Sequence, residues 1–337
     1  MPQASTRYAP PGPLGFGGAP LGNMFATIDE PTAEATMLAA WEEGIRYFDT
    51  APHYGAGLSE HRFGHVLRQR PRDSFVLSTK VGRVLSPDPA VRAGPPPFDN
   101  GLPFRARYDY SADGARRSIE DSLQRLGLAR VDIVYVHDIA EDAHGPNWRA
   151  VFAEAMRGAG QALTRLREDG VIRAWGLGVN RVEACLSGLK QSDPDLFLLA
   201  GRYTLLDHSA LDTLFPACAA RGVRVVVGGP FNSGLLAGGA HFDYVAPRAE
   251  QVGARDRILD LCQAHNVDIR AAALQFCAAH PVVRAVIPGA KSPDKVRQNA
   301  GFLRQPVPAG FWADLKASGL IPPHAPTETP ATTAPSN

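Results

Sequence analysis

The sequence predicts an α/β chain folded as a single (β/α)8 TIM barrel, and three observations carry that prediction. Short β-branched runs alternate with longer amphipathic stretches, the pattern of βαβ units feeding a parallel sheet. Eight such repeats follow one another without a break in composition, and α/β barrels commonly run to roughly 250 residues or more as one unit. Three of the apolar runs end on an ionisable side chain, where barrel strands place their chemistry.

The first run, residues 15–19, leads into Pro20 rather than into a helix. The glycines there are therefore not the phosphate turn of an open dinucleotide-binding sheet. A helical stretch at 32–43 ends at Gly44, which can take the left-handed turn that stops a helix before the strand at 45–49. A helix at 58–69 precedes the strand at 75–80. Residues 84–110 form a long Pro/Gly-rich loop that follows Lys80 and should overhang the barrel mouth. Its Phe98, Phe104, Tyr108 and Tyr110 argue against simple disorder. Ser111 and Asp113 give the helix at 111–126 a capped, acidic start. The strand at 131–137 is followed by a helix at 148–169 closed by Gly170. Strands at 172–179 and 196–201 precede helices at 181–190 and 209–221, the second closed by Gly222. The strand at 223–229 leads to a helical stretch at 251–280, broken near 265–268. The last strand, 283–289, meets a helix at 292–303 with Ser292 as cap and Pro293 in its first turn. The barrel is expected to occupy residues 1–321, and the Pro/Thr/Ala-rich residues 322–337 to be a flexible tail.

Composition narrows the function classes. With 35 basic and 34 acidic side chains among 337 residues, the net charge is +1 and offers no field for nucleic acid or anionic membrane. Cys185, Cys218, Cys262 and Cys277 stand singly in helical segments, with no CxxC pair and no histidine at ligand spacing. They read as small buried thiols, and no metal site is expected. No apolar run approaches the 18 or so residues of a membrane span, and no apolar leader core is present, so a cytoplasmic location is expected.

Asp49, Lys80 and His137 close the strands at 45–49, 75–80 and 131–137, and Tyr54 lies just past the first. One short connection or one βα repeat separates each from the next, so successive strand ends bring them to one mouth. A phenol titrates near ~10 and is a poor base at neutral pH. A neighbouring ammonium favours the phenolate, so Lys80 is expected to lower the Tyr54 pKa while Asp49 keeps Lys80 charged. His137 would share a substrate oxygen with Tyr54. Taken singly, each residue has a plain structural alternative: a cap, a loop seal, a solvated strand end. Together they suit proton transfer at oxygen without a covalent intermediate, as in carbonyl–alcohol interconversion with a hydride-carrying cofactor.

The segments FDTAPHYGAGLSE, LSTKVG, VYVHD, WGLGVN and IPGAKSPDKVRQN, in that order between Leu14 and Leu303, resemble the aldo-keto reductases. The resemblance implies a barrel that binds NAD(P) in extended form, with Asp49, Tyr54, Lys80 and His137 as a catalytic tetrad and Tyr54 as acid or base. It implies that Asn180 bonds the nicotinamide carboxamide. Pro230, Phe231, Asn232, Ser233, Gly234 and Leu235 would wrap the pyrophosphate, where exposed backbone N–H groups suit an anion. Gly289, Ala290, Lys291, Lys295 and Asn299 would hold the adenosine end near a helix N-terminus. Gly17 and Gly18 join the expected cofactor-binding residues. Val179, Ala200 and Gly228 depart from the family's serine, glutamine and stacking aromatic. Tyr203 or Phe231 would then pack the nicotinamide instead.

AGRYTLLDHSALD and VVVGGPFNSGLLAGG resemble a narrower branch, the aldose 1-dehydrogenases of the D-threo-aldose or L-fucose type together with pyridoxal 4-dehydrogenase. That likeness implies oxidation of a cyclic hemiacetal to a lactone, usually with NAD, on a sugar or a pyridoxal-like substrate, the sugar being favoured. NADP use is left open and turns on Lys291. Carbonyl reduction in the reverse direction is one alternative, and a non-catalytic cofactor-binding subunit is another of a different class. Arg105, Arg107, Tyr108 and Trp148 are further candidates for the substrate mouth.

Overall fold

The computed structural model of the chain describes residues 7–91 and 97–328. It contains ten strands: β1 (Phe16–Gly17), β2 (Tyr47–Asp49), β3 (Val76–Val81), β4 (Arg83–Pro87), β5 (Phe104–Tyr108), β6 (Ile133–His137), β7 (Ala174–Val179), β8 (Leu196–Ala200), β9 (Arg224–Gly228) and β10 (Val283–Ile287). Eight of them form one parallel sheet in the order β1-β2-β3-β6-β7-β8-β9-β10. Backbone bonds close it into a barrel: Gly15 N–H donates to Val286 O at 2.9 Å and Val286 N–H to Pro13 O at 2.8 Å. The (β/α)8 architecture is the one the repeats predict.

Alternation along each strand sorts the side chains into two layers. Tyr47, Val76, Ile133, Tyr135, Leu196, Leu198, Val226 and Ile287 form the small inner core that fills the barrel. Phe16, Phe48, Phe63, Trp175 and Phe197 belong to the larger core between sheet and helices. Burial on both faces explains why β3 and β7 read as unbroken apolar runs. Within the barrel the Tyr47 hydroxyl lies 3.1 Å from both Tyr135 Oη and Ser78 Oγ, and Ser78 Oγ donates to Asp49 Oδ1 at 2.6 Å. A chain of hydroxyls therefore runs up the axis to the end of β2.

Helix ends follow the signals in the sequence. The Ser111 hydroxyl accepts from Gly114 N–H at 3.0 Å, and the Asp29 carboxylate accepts from Thr32 N–H at 2.9 Å. Gly44, Gly170 and Gly222 take φ values of 78°, 71° and 66°, the left-handed region that releases the chain toward the next strand.

Several expectations change. The stretch expected as a loop at 84–110 contains an antiparallel ribbon, with β4 paired to β5 from Arg83 opposite Tyr108 to Pro87 opposite Phe104. Buried Val84 and Leu85 tie this ribbon to the barrel, and residues 92–96 lie outside the described residues. The helix expected at 148–169 is interrupted by a π-helical turn, Met156–Gly160. The cause is close packing. A Cβ on Gly158 would sit 2.3 Å from Tyr110 O, and Ala159 N–H donates to that same oxygen at 2.9 Å. The expected break near 265–268 separates helices Ala249–Ala264 and Ile269–Ala279. A further helix, Ala309–Ala317, buries Phe311, Trp312 and Leu315 and has no counterpart among the expected elements. Of the segment expected as a tail, Ala325 is buried, and residues 329–337 lie outside the described residues. Among the described residues no helix is long and apolar enough to cross a membrane.

Candidate active site

β2, β3 and β6 are hydrogen-bonded neighbours, so the residues near their carboxyl ends meet at one mouth. Asp49 ends β2, Lys80 is the next-to-last residue of β3, and His137 ends β6. Lys80 Nζ donates to Asp49 Oδ2 at 2.6 Å and to Thr50 O at 2.9 Å. Both members of the pair are about 1% exposed. Burying two charges is costly unless geometry and further bonds are good, and here the second carboxylate oxygen is filled by Ser78. Tyr54 presents its ring face 4.6 Å from Lys80 Nζ, and the His137 ring stands edge-on to it at 6.0 Å and 84°. All four residues of the expected tetrad come together.

The electrostatics differ from expectation in one respect. Lys80 was expected to draw the Tyr54 pKa down. Instead burial, with the Asp49 and Asp138 carboxylates adding to it, pushes the phenol well above 10, opposed only weakly by Arg83. The reason is geometric, because the ammonium is committed to Asp49 and touches the phenol through its ring face. Burial also raises the Asp49 pKa against the pull of Lys80. His137 is driven well below 6.5 by burial and by Arg83, Lys80 and His53, with Asp138 opposing. Near neutral pH the mouth therefore holds a protonated phenol beside a neutral imidazole.

From this mouth a cavity of about 410 Å³ extends over β8, β9 and β10 to the helix Pro293–Arg304, lined along its length by Gly18, Tyr54, Pro230, Gly289, Lys291 and Asn299. Its middle is bordered by a turn in which Asn232, Ser233 and Gly234 take consecutive left-handed φ values of 47°, 56° and 106°. Within it the Asn232 and Gly234 N–H groups donate to Gly229 O at 2.9 Å and Phe231 O at 3.0 Å. At its far end Lys291 and Lys295 flank the start of that helix, capped by Ser292. Residues 13–319 match the aldo/keto reductase family.

The chain belongs to that family. It is 43% identical to pyridoxal 4-dehydrogenase from Microbacterium luteolum, over 91% of this chain and 94% of the relative. It is 40% identical to D-threo-aldose 1-dehydrogenase from a Pseudomonas species, over 92% and 94%. Among solved structures, an aldo-keto reductase from Bacillus halodurans in its holo form superposes with a TM-score of 0.70 at 28% identity, covering 95% of this chain and 94% of that one. This aldo-keto reductase is accordingly an NAD(P)-dependent oxidoreductase. A nicotinamide dinucleotide fits the residues present: a cavity lined from Tyr54 to Asn299, small residues Gly17, Gly18, Gly229 and Gly234 along it, and the cations Lys291 and Lys295 at its end.

Most of the expected cofactor residues line the cavity: Gly17, Gly18, Pro230, Phe231, Ser233, Gly234, Gly289, Ala290, Lys291, Lys295 and Asn299. Three do not. Leu235 is buried in the core. Asn180 donates from Nδ2 to Asp142 Oδ2 at 3.1 Å and borders a small side pocket with Asn232. Asn232 is 2% exposed, and neither of its amide atoms has a partner among the described residues. Tyr203 is fully buried and stacks on Phe276 at 4.9 Å, in the core rather than in the cavity, whereas Phe231 does line it. Of the mouth candidates, Trp148 packs on Phe152 and does not line the cavity. Arg105 and Arg107 point outward, 70% and 67% exposed, and pair with Asp88 and Asp109.

Sequence reasoning missed a second layer beneath His137. Arg83 is 8% exposed and bonds Asp138 Oδ2 at 2.8 Å, donates to Tyr108 Oη at 2.8 Å, and reaches within 3.4 Å of His137 Nδ1. The Asp138 carboxyl is held at about 2, its burial outweighed by His137 and Arg83. Tyr110 Oη donates to His137 O at 2.9 Å. The available signals were an arginine three residues past Lys80 and an aspartate directly after His137. The rim residues Phe25 and His241, stacked at 4.3 Å, gave no sequence signal.

Proposed function

We propose that this aldo-keto reductase oxidises the anomeric hydroxyl of an aldose to a lactone, with NAD as the preferred hydride acceptor. The observation that carries the reading is the meeting of Tyr54, His137 and the Asp49–Lys80 pair at the barrel mouth, where Tyr54 and Asp49 line a cavity of about 410 Å³. The likeness to a D-threo-aldose 1-dehydrogenase supports the substrate class. When bound, the nicotinamide supplies the two-electron acceptor. The protein's own groups handle the proton. As the phenolate, Tyr54 Oη takes the hydroxyl proton in the oxidising direction, and as the phenol it gives the proton back in reduction. Lys80 lies against the phenol ring face and holds the ring in place, its ammonium fixed by Asp49 and Thr50 O. His137, kept neutral, donates or accepts one hydrogen bond at the same oxygen. An anomeric hydroxyl is more acidic than an ordinary alcohol, which eases the demand on a phenol of raised pKa.

Pyridoxal oxidation is the second reading. It is favoured by the 43% identity to a pyridoxal 4-dehydrogenase and by the cyclic hemiacetal that pyridoxal also forms. Asn180, bonded to Asp142, and the buried Asn232 and Leu235 lie off the cavity and are not assigned to the cofactor in this reading. NAD is favoured because, among the described residues that line the cavity, Lys291 and Lys295 are joined by one arginine, Arg270, which Asp268 already pairs at 2.6 Å.

Mixing the protein with NAD or NADP and L-fucose, D-arabinose or pyridoxal, and following the reduced-cofactor absorbance, tests the reading. Turnover on the sugars with NAD is expected. Turnover on pyridoxal alone moves the assignment to the second reading, and a flat trace with cofactor still bound moves it to a non-catalytic binding protein.

A further inference from the structure

The residue next to Tyr54 in the chain is His53, a second imidazole at the mouth that the proton chemistry does not use. Its ring stands edge-on to Phe98 at 5.2 Å and to His137 at 6.0 Å. Its Nδ1 is buried without a hydrogen-bond partner among the described residues. Nδ1 is shut away from the mouth, so Nε2, which takes no protein partner among the described residues, is the ring nitrogen left to meet a ligand. The ring is also neutral near pH 7, because burial, with Arg83 and Lys80 adding, lowers its pKa to about 4 against the pull of Asp138. A neutral imidazole offers one donor and one acceptor and no charge, the complement of a hydroxyl rather than of a carboxylate or phosphate.

We propose that His53 is a specificity-determining residue that hydrogen-bonds the hydroxyl on the carbon next to the reacting one, so that the site selects 2-hydroxylated aldoses over their 2-deoxy counterparts. The proposal rests on the aldose reading above. Tyr54 and His137 converge on the reacting oxygen. An imidazole adjacent in the chain to the first and 6.0 Å from the second can reach the neighbouring oxygen of one small ring with bonds of about 2.8–3.0 Å. Phe98, packed edge-on against His53 and 5.8 Å from the Tyr54 ring, presents an apolar wall on the same side. In that setting a substrate lacking the hydroxyl would leave the imidazole unpaired. Unpaired polar groups in a closed site are what give large discrimination between otherwise similar substrates.

D-Arabinose and 2-deoxy-D-ribose differ only at that hydroxyl and serve as the probe pair. The ratio of their kcat/KM values is measured with NAD for the wild-type protein and for His53→Phe, His53→Asn and His53→Gln. The expected result is a wild-type preference for D-arabinose that falls at least about tenfold in His53→Phe. At least one of the amide variants, which carry donor and acceptor at the reach of one or the other ring nitrogen, should recover most of it. An unchanged ratio in a His53→Phe variant that keeps the wild-type melting temperature, or in both amide variants where His53→Phe does not fold, with the wild-type preference present, overturns the proposal and leaves the aldose reading intact. A wild-type protein that oxidises neither sugar overturns both. A variant that misfolds lowers both rates together without moving the ratio, and the amide variants then decide.

Discussion

At the scale of single residues, the account turns on how Tyr54 can be both stubbornly protonated and the group that moves the proton. Burial and two nearby carboxylates hold its pKa well above 10, and Lys80 meets it through the ring face. Oxidation needs the phenolate and reduction needs the phenol, so the two directions should respond to pH with different signs. Below the phenol's pKa the fraction of phenolate rises about tenfold per pH unit, so kcat/KM for alcohol oxidation should climb with a log slope near one from about pH 7 to 9. Carbonyl reduction should stay flat over the same range. Parallel profiles in the two directions would remove Tyr54 from the proton path. Asp49, Lys80, Tyr54 and His137 were legible because strand ends are visible in sequence and barrel topology makes strand ends neighbours. Arg83, Asp138 and His53 were not, because their importance comes from contacts across loops that no local pattern announces. The expected lowering of the Tyr54 pKa failed for a related reason. Proximity of an ammonium could be inferred, but not that the ammonium is committed to Asp49.

At the scale of elements, buried charge fixes how helices sit around the mouth. Glu60, on the helix Leu58–Leu67, is fully buried; it accepts from Thr79 Oγ1 at 2.6 Å and from Arg125 Nε at 2.6 Å. It thus joins β3 to two helices one residue away from Lys80. Glu60→Ala should cost about 3 kcal/mol or more, because it strands a largely buried arginine and a buried hydroxyl. A denaturant titration reads this as a lower midpoint at unchanged slope; a loss under about 1 kcal/mol would mean that water repairs the site. At the other end of the cavity, Lys291 is half-buried, and burial and Lys295 together lower its pKa, with Asp99 opposing. Lys291→Ala should weaken NADP binding by about tenfold or more and NAD binding less, as read by cofactor fluorescence titration. Equal losses would remove the 2′-phosphate role. The ribbon of β4 and β5 shows where element reading stopped. Its prolines and glycines, which mark a loop in sequence, lie mainly in the stretch that joins the two strands, and the pairing itself is non-local.

At the scale of the whole molecule, the barrel could be read because eight repeats reinforce one another, so that no single strand assignment had to be right. Details that depend on close approach could not. The π-helical turn at Met156–Gly160 exists because of Tyr110 O, a residue far away in sequence. Burial of imidazoles also gives the fold a global pH signature. His53 and His280 are both held at about 4 by burial, with Arg83 and Lys80 adding at His53, against about 6.5 in an unfolded chain. As pH falls from about 6.5 toward 4, the unfolded chain binds protons that the folded chain refuses, and stability falls with pH across that window. Urea midpoints at pH 7 and pH 5 should therefore differ, and His53→Gln should narrow the gap; identical midpoints would mean that the imidazoles are more open than their packing indicates.

The most direct test of the central claim is the steady-state turnover of Tyr54→Phe with NAD and L-fucose, alongside its affinity for NAD. The substitution removes one oxygen and keeps the ring that Lys80 and His137 pack against. The account predicts a loss of about 10²-fold or more in kcat with NAD affinity and melting temperature unchanged. A variant that turns over at the wild-type rate would contradict it.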